Sequence, residues 1–260
     1  MTREDLRVED RGAVRWLTLD WAESKNGLTE DTVRAITAAL ALPDAIRAVV
    51  ITGANSAFCS GLDLKEAMRR GLQVGPALET GLREGFHGAI KAIARCDRPT
   101  IAAVDGAAAG FGCDLALACD LRIVSDRAFF GEIFVRRGLM PDGGGTWLLP
   151  RIVGTGRALE MLLLGDRVTA EDAYRIGLAN KIVAHAELAA EVGAIAARLA
   201  AGPPMVYRLV KESVYAGLSG DLDAALDREA TGQLKLLASD DFREGVTAFL
   251  EKRDPRFQGR

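Results

Sequence analysis

Two segments of the chain each carry a buried strand into a helix through a glycine-containing turn, and they constrain the fold more than any other feature. The strand pattern at residues 48–52 leads into the segment AFCSGLDL at 57–64. The strand pattern at 100–104 leads through a glycine-rich turn into a short helix predicted over 114–119. The start of a helix leaves backbone N–H groups unpaired and carries partial positive charge. Two such turns together predict a site that stabilises an oxygen on which negative charge develops.

The remaining periodicities predict an α/β body followed by helices. Strand patterns lie at 13–19, 121–124 and 129–130, and helical patterns lie at 32–42, with Thr29 as the N-cap, and at 79–94. Beyond Arg157 no further strand is predicted, and helices are expected at 158–164, 170–176, 187–200, 204–216, 222–237 and 242–250. We therefore divide the chain into an α/β body, residues 1–200, and a helical region, residues 201–260, that packs on the body or on a neighbouring subunit.

Composition excludes several classes of function. A net charge of −3 provides no global positive field for nucleic acid or an anionic membrane. The four cysteines form no Cys-x-x-Cys pair and the two histidines lie far apart in the sequence, so no metal site is predicted. The N-terminus is charged from its second residue and no apolar run of roughly 20 residues occurs, so we expect a soluble, cytoplasmic protein with free thiols.

Three sequence blocks together resemble the crotonase superfamily, the enoyl-CoA hydratase/isomerase family. They are AFCSGLDL at 57–64, PTIAAVDG at 99–106 running into GFGCDLALACD at 110–120, and GLMPDGGGT at 138–146. The resemblance implies a spiral of ββα units, a C-terminal helical region that builds trimers or hexamers, and an acyl-CoA thioester as the ligand. It implies no cofactor other than the coenzyme A that forms part of the substrate.

In the family pattern, two backbone N–H groups form an oxyanion hole for the thioester oxygen. The resemblance assigns these N–H groups to Leu62 and Phe111, although glycine is commoner at the second position. Deprotonating the carbon beside a thioester, or adding water to an enoyl thioester, places negative charge on that oxygen, and two aimed donors lower the barrier by several kcal/mol.

The acid/base groups differ from those of the family's hydratases, which use two glutamates. The corresponding positions hold Asp114 and Phe134, and a phenylalanine can neither bind nor deprotonate water. By the same resemblance, Asp142 occupies the position at which the double-bond isomerases of the family carry a catalytic aspartate. We predict Asp142, together with Asp114, as the proton-transferring group and place Phe134 in the acyl pocket. Pro-Asp-Gly is also a strong turn signal, which leaves a purely structural role for Asp142 open.

Two further acid/base candidates remain. Glu132 lies two residues before Phe134 and would share its face only in an extended segment. His87 lies on the helix predicted over 79–94, and a dehalogenating branch of the family uses a histidine of that helix as its base. A helical histidine is more often a packing residue, so both candidates rank below Asp142.

The resemblance also indicates how coenzyme A is bound. The phosphates of coenzyme A need cations. In the family, a lysine after the first block and an aromatic residue with a lysine from the last helix contact the nucleotide, and these positions hold Lys65, Phe249 and Lys252. The last helix sometimes belongs to a neighbouring subunit. Lys25 is a supplementary cation, and the first block adds Ser60 and Asp63. Cys59, in the same block, has no identifiable base beside it in the sequence and is not predicted to be a nucleophile.

The sequence therefore predicts an enzyme of acyl-CoA thioesters that either hydrates an enoyl-CoA or shifts its double bond. Two alternatives stay open: other crotonase chemistry, such as dehalogenation or C–C cleavage of an acyl-CoA, and a catalytically silent acyl-CoA-binding protein. RNA binding finds little support in the net charge.

Overall fold

The protein is described by a computed structural model that covers residues 5–71 and 73–260. Its larger sheet has six strands, of which only the first runs antiparallel to its neighbour. In spatial order they are β1 (Leu6–Arg11), β2 (Val14–Leu19), β3 (Ala48–Gly53), β4 (Thr100–Val104), β6 (Leu121–Ser125) and β9 (Lys181–Val183). A smaller sheet contains β5 (Ala107–Ala109), β7 (Phe129–Gly131) and β8 (Val168–Thr169). The predicted strands in the first 130 residues are confirmed within one or two residues.

Helices cover both faces of the larger sheet and continue to the C-terminus. Those of the body are α1 (Glu30–Ala39), α2 (Leu64–Arg69), α3 (Pro76–Thr80), α4 (His87–Ala94), α5 (Phe111–Leu117), α6 (Gly145–Val153), α7 (Thr155–Leu164), α8 (Ala170–Arg175) and α9 (Leu188–Ala201). The last three are α10 (Pro204–Gly217), α11 (Leu222–Leu237) and α12 (Asp240–Glu251). Short 3₁₀ turns lie at Ala22–Ser24, Ile133–Arg137 and His185–Glu187.

The start of α1 is fixed by Thr29, as predicted. The Thr29 hydroxyl accepts a hydrogen bond from the backbone N–H of Thr32, and the Thr32 hydroxyl accepts one from the backbone N–H of Thr29. This reciprocal arrangement pairs two backbone donors that the start of a helix would otherwise leave open.

Three expectations about local structure were wrong. Strands do occur beyond Arg157, namely β8 and β9, which are too short for alternation to reveal. The helix predicted over 79–94 is interrupted by a π-helical turn, Gly81–Phe86, between α3 and α4. The short helix predicted to open at Asp114 opens three residues earlier, at Phe111.

Alternation along the central strands divides the core into two layers. In β2 and β3, Leu17, Leu19, Val49 and Ile51 pack in the layer formed with α1, α4 and α5. Their alternate neighbours Val14, Trp16, Ala48 and Val50 pack against α9. Helix α9 is therefore part of the body, and its buried residues Leu188, Val192, Ala196 and Ala200 recur at every fourth position.

The three C-terminal helices leave a large apolar surface uncovered in the single chain. Neither α10 nor α11 has a buried residue. The exposed apolar side chains of α10 to α12 and their connections are Val210, Val214, Leu218, Leu222, Leu226, Leu234, Leu237, Phe242, Val246, Phe249 and Leu250. Within residues 5–71 and 73–260, no helix combines the length and apolar character that crossing a bilayer requires.

Candidate active site

The first glycine turn is built around Gly61, whose φ of +93° favours glycine. The carbonyl of Gly61 accepts a hydrogen bond from the N–H of Leu28 at 2.7 Å, and the carbonyl of Leu28 accepts one from the N–H of Asp63 at 2.9 Å. These two bonds fix Leu62 between them. Among the hydrogen bonds of the described residues, none uses the N–H of Leu62, so this donor is available to a ligand.

A buried asparagine holds this turn from behind. The side-chain amide of Asn26 donates to the carbonyl oxygens of Ala54 and Ala57 at 2.8 and 2.7 Å, and its oxygen accepts the N–H of Trp21 at 2.9 Å. Asn26 is 1% exposed, with a φ of +60°. This role of Asn26 was not predicted from the sequence. The signal that was present is the occurrence of an asparagine, which tolerates positive φ, directly before a glycine.

The second turn brings the start of α5 against the first. The N–H groups of Cys113 and Asp114 bond back to the carbonyl of Gly110, while the N–H of Phe111, the first helical residue, has no acceptor in the described part of the chain. A Cβ placed on Gly61 would lie 3.3 Å from the backbone nitrogen of Phe111. The N–H groups of Leu62 and Phe111, which the sequence predicts as the oxyanion hole, therefore border the same point.

A cavity of about 460 Å³ opens at this junction. Phe86 and Phe111 meet there edge to face, with ring centroids 5.0 Å apart. The predicted pocket residue Phe134 also lines the cavity, and its ring lies beside Gly110. The remaining apolar wall consists of Leu28, Leu64, Ala67, Ala77, Leu78, Leu82, Ile133 and Leu139. This wall suits an apolar acyl group whose polar carbonyl faces the two glycine turns.

Asp142 lines the same cavity from the turn that precedes α6. Its Oδ1 atom is buried without a hydrogen-bond partner among the described residues. Burial raises the pKa of Asp142 above its usual value, and the nearby His87 counteracts that rise. A half-buried carboxyl group of this kind can accept and return a proton.

Asp114 and Glu132 are both 0% exposed, and neither borders the cavity. Asp114 Oδ2 accepts the N–H of Gly143 at 3.0 Å. A Cβ at Gly145 would collide with Asp114 Oδ1 and would lie 3.2 Å from Glu132 Oε1, so the two acids lie side by side behind the cavity. The prediction that Asp114 exchanges the proton with substrate directly therefore gains no support from its position.

Burial also raises the pKa values of this pair. The pKa of Asp114 lies well above its usual value, because of burial and then of the charges of Glu132 and Asp142. Burial raises the pKa of Glu132 to about 7, an effect that contact with the Cys113 thiol reduces and Asp142 increases. Apart from that thiol, neither oxygen of Glu132 has a partner in the described chain.

The side chains at positions 132 and 134 would lie on the same face only if their segment were extended. The segment is not extended, because Glu132 directly precedes the 3₁₀ turn Ile133–Arg137. The turn points Glu132 into the interior and leaves Phe134 on the cavity wall. Direct contact between Glu132 and substrate therefore stays a prediction, and the burial of Glu132 disfavours it.

Two other candidates find a place outside the cavity lining. His87 is half-buried at the first position of α4, close enough to Asp142 to lower its pKa, but does not line the cavity. Cys59 is buried, and burial raises the pKa of its thiol to about 12, which disfavours the nucleophilic thiolate.

The residues predicted to bind coenzyme A fall into two groups. Ser60 and Asp63 line the cavity, while Lys65, two residues after Asp63, and Lys25, whose carbonyl accepts the N–H of Ser60 at 3.1 Å, are exposed. Ser60 donates its hydroxyl to the carbonyl of Ser24 at 2.6 Å, and Asp63 caps α2 by accepting the N–H of Glu66. Phe249 and Lys252, at the end of α12, are exposed and do not line the cavity of their own chain.

Several cavity residues were not predicted as site residues. Arg70, Gln73 and Arg137 line the cavity beside the apolar residues of α2 and α3. Nothing in the local sequence distinguishes these residues from ordinary surface residues, because their role depends on how α2 and α3 fold over the turn.

The chain is similar to known proteins over nearly its whole length. The family model for enoyl-CoA hydratase/isomerase matches residues 9–260. A Rhodobacter capsulatus protein described as an enoyl-CoA hydratase is 46% identical, with 100% of both chains covered. The 1,2-epoxyphenylacetyl-CoA isomerase of Escherichia coli is 40% identical over 84% of this chain and 83% of its own.

Among solved structures, a Thermobifida fusca protein described as an enoyl-CoA hydratase, in complex with CoA, superposes with a TM-score of 0.83. It is 35% identical, and the match covers 90% of this chain and 93% of that chain. The fold predicted by the resemblance, a crotonase-like α/β spiral with C-terminal helices, is confirmed. The chain belongs to the enoyl-CoA hydratase/isomerase family of the crotonase superfamily.

Proposed function

We propose that the protein shifts the double bond of an enoyl-CoA thioester by moving a proton between carbons near the thioester carbonyl. The N–H groups of Leu62 and Phe111 hold the enolate oxygen, and Asp142 removes and returns the proton. One observation carries the choice of Asp142: it combines a position on the cavity wall with a carboxyl oxygen that no described residue engages.

The other carboxylates on the cavity wall have structural partners. Glu30 pairs with Arg34, Glu66 pairs with two arginines, and Asp63 caps α2. A double-bond shift needs one group that takes a proton and gives it back, whereas the hydratases of this family use two glutamates. With Phe134 in the second position, the cavity suits isomerisation better than hydration.

The physical chemistry of the site supports enolate formation. Negative charge develops on the thioester oxygen, where two N–H donors converge at the start of α5. A raised pKa makes the Asp142 carboxylate a stronger base for the first proton transfer, and the protonated group then returns the proton in the second step.

For coenzyme A we propose contacts from Ser60 and Asp63 beside the oxyanion turn and from Lys25 and Lys65 to the phosphates. Phe249 and Lys252 lie away from the cavity of their own chain, so we assign them to the coenzyme A of a neighbouring subunit. The proposed reaction uses no metal and no cofactor beyond the coenzyme A of the substrate.

The proposed assembly is a homotrimer or a hexamer of two trimers, formed through the uncovered apolar surface of α10 to α12. Light scattering after size exclusion should give three or six times the 27.7 kDa of one chain. Four buried free cysteines are consistent with a reducing cytoplasm, where we place the protein.

The activity is tested by incubating the protein with 2-enoyl-CoA and 3-enoyl-CoA esters in D₂O and measuring the products by mass spectrometry. Deuterium uptake with a relocated double bond is the expected result. Addition of one water would replace the proposal by a hydratase. Unchanged esters, bound without turnover, would favour the silent binding protein or another acyl-CoA reaction.

A further inference from the structure

Three carboxyl groups surround the short glycine segment Gly143–Gly145, and only one of them reaches the cavity. Asp142 lines the cavity wall, whereas Asp114 and Glu132 are fully buried behind it. Each of the three has at least one buried oxygen without a hydrogen-bond partner among the described residues. A buried carboxylate that has fewer donors than its oxygens need is costly to ionise, so these oxygens indicate that part of the cluster is protonated.

We propose that Asp114 and Glu132 are a positioning pair for Asp142: below neutral pH they stay protonated, so that the negative charge of the cluster rests on Asp142, and Asp114 holds the backbone next to it. The inference rests on the proposed function only in taking Asp142 as the proton carrier. It changes the predicted role of Asp114 from direct proton transfer to support.

Asp114 contacts the backbone of the turn that carries Asp142. Asp114 Oδ2 accepts the N–H of Gly143, the residue directly after Asp142, at 3.0 Å. A Cβ on Gly143 would lie 2.6 Å from that oxygen, so the chain can approach Asp114 only as glycine. This bond ties the turn carrying Asp142 to α5, the same helix whose first N–H belongs to the oxyanion hole. The proton carrier and the oxyanion donor are thereby held at a fixed separation.

The charged and polar groups around the three acids differ. Glu132 is surrounded by Asp114 and Cys113, which belong to α5, and by Asp142, which belongs to the turn before α6. Asp142 is the most solvated of the three acids and faces His87 of α4 on its other side. Among the described residues, no lysine or arginine forms a salt bridge with Asp114 or Glu132. Asp142 therefore ionises first, and its charge helps to keep protons on Asp114 and Glu132.

The protonation states can be measured without substrate by infrared difference spectroscopy of the carboxyl C=O band at pH 6. At that pH exposed carboxyl groups are ionised. Asp114→Asn and Glu132→Gln should each remove part of the protonated-carboxyl band of the wild type, while Asp142→Asn should retain it. Asp105→Asn is the matched control, since Asp105 is also buried but pairs with Arg127, which counteracts the effect of burial and lowers its pKa.

A wild type without this band, or a band lost in Asp142→Asn instead, would overturn the inference. Neither result depends on whether the enoyl-CoA activity is found. Failure of the proposed function would appear separately, as absence of turnover by a wild type whose band behaves as expected.

The positioning role is tested by comparing Asp114→Asn with Asp114→Ala. Asparagine can still accept the N–H of Gly143, so kcat should stay within about threefold of the wild type, whereas alanine should lower kcat about tenfold or more at unchanged KM. Equal loss in both variants would show that Asp114 needs its charge and would return it to direct proton transfer.

Glu132→Gln supplies the last readout, because glutamine imitates the neutral acid. The kcat of the variant should equal that of the wild type at pH 6. Near pH 7 the kcat of the wild type should change as Glu132 ionises, and the variant should lack that change. A merely structural glutamate would leave the shape of the pH profile unchanged, and that result would contradict the charge argument.

Discussion

The backbone nitrogen of Phe111 lies 3.3 Å from the position that a Cβ would take on Gly61. The two glycine turns that the sequence places about fifty residues apart therefore touch, and they touch where each has a free N–H donor. The two turns can come this close only because residue 61 has no side chain. A substitution at Gly61 can therefore disturb the geometry of the oxyanion hole without changing any group that carries a proton.

Gly61→Ala should damage both stability and activity. The added Cβ would lie 2.8 Å from the carbonyl oxygen of Ala109, and the φ of +93° would be strained for alanine. We expect a loss of about 1–3 kcal/mol in the free energy of unfolding and at least a tenfold fall in kcat/KM, roughly the contribution of one misaligned donor. Denaturant unfolding and steady-state kinetics measure the two effects.

Gly12→Ala is the control, since Gly12 also has a positive φ but a Cβ there meets nothing within 4 Å. It should share the strain and keep the activity. If Gly61→Ala were as active as Gly12→Ala, the two turns would not form the oxyanion hole.

Asp142→Asn should lower kcat by about 10²–10⁴-fold, the usual contribution of a positioned acid or base, with little change in KM. The substitution keeps the size of the side chain and removes its capacity to carry a proton. Asp166→Asn changes an exposed aspartate paired with Arg136 and should leave kcat unaltered. Retention of activity in Asp142→Asn would assign this residue to the turn alone.

Long helical patterns could be predicted accurately from the sequence. Helix α11 spans 222–237, the predicted bounds, because an amphipathic pattern over sixteen residues outweighs local signals. The strands β8 and β9, of two and three residues, are too short to show a period and were missed. Their pairing is set by neighbouring strands rather than by their own residues.

At the site, the two glycine turns predict an oxyanion hole, the family resemblance assigns its donors to Leu62 and Phe111, and the structure brings the two turns into contact. The separation of the acids could not be predicted. The sequence predicts Asp142, together with Asp114, as the proton-transferring group, but the close packing of Gly143 against α5 buries Asp114 and leaves Asp142 on the cavity wall. Glu132 would share the face of Phe134 only in an extended segment, and the 3₁₀ turn that follows Glu132 places the two side chains differently.

Phe134→Ala should enlarge the acyl cavity beside Gly110. Because Phe134 is only half-buried, its loss should destabilise the fold by less than the roughly 3–5 kcal/mol of a fully buried phenylalanine. We expect KM to rise for short acyl groups, which lose contact with the ring, and to fall for branched ones. Kinetics with a series of enoyl-CoA esters would measure this, and an unchanged order of preference would place the acyl group elsewhere.

Glu132 should make the stability of the protein depend on pH, because its pKa is about 7 in the folded chain and 4.5 as an exposed group. Between these values the unfolded chain releases a proton that the folded chain retains, so stability falls as pH rises and the full cost is reached above pH 7. The loss of stability is on the order of a few kcal/mol at most. Glu132→Gln should therefore gain stability over the wild type at pH 8 and little at pH 5, as measured by urea unfolding. An equal gain at both pH values would show that packing, and not the proton on Glu132, accounts for the difference.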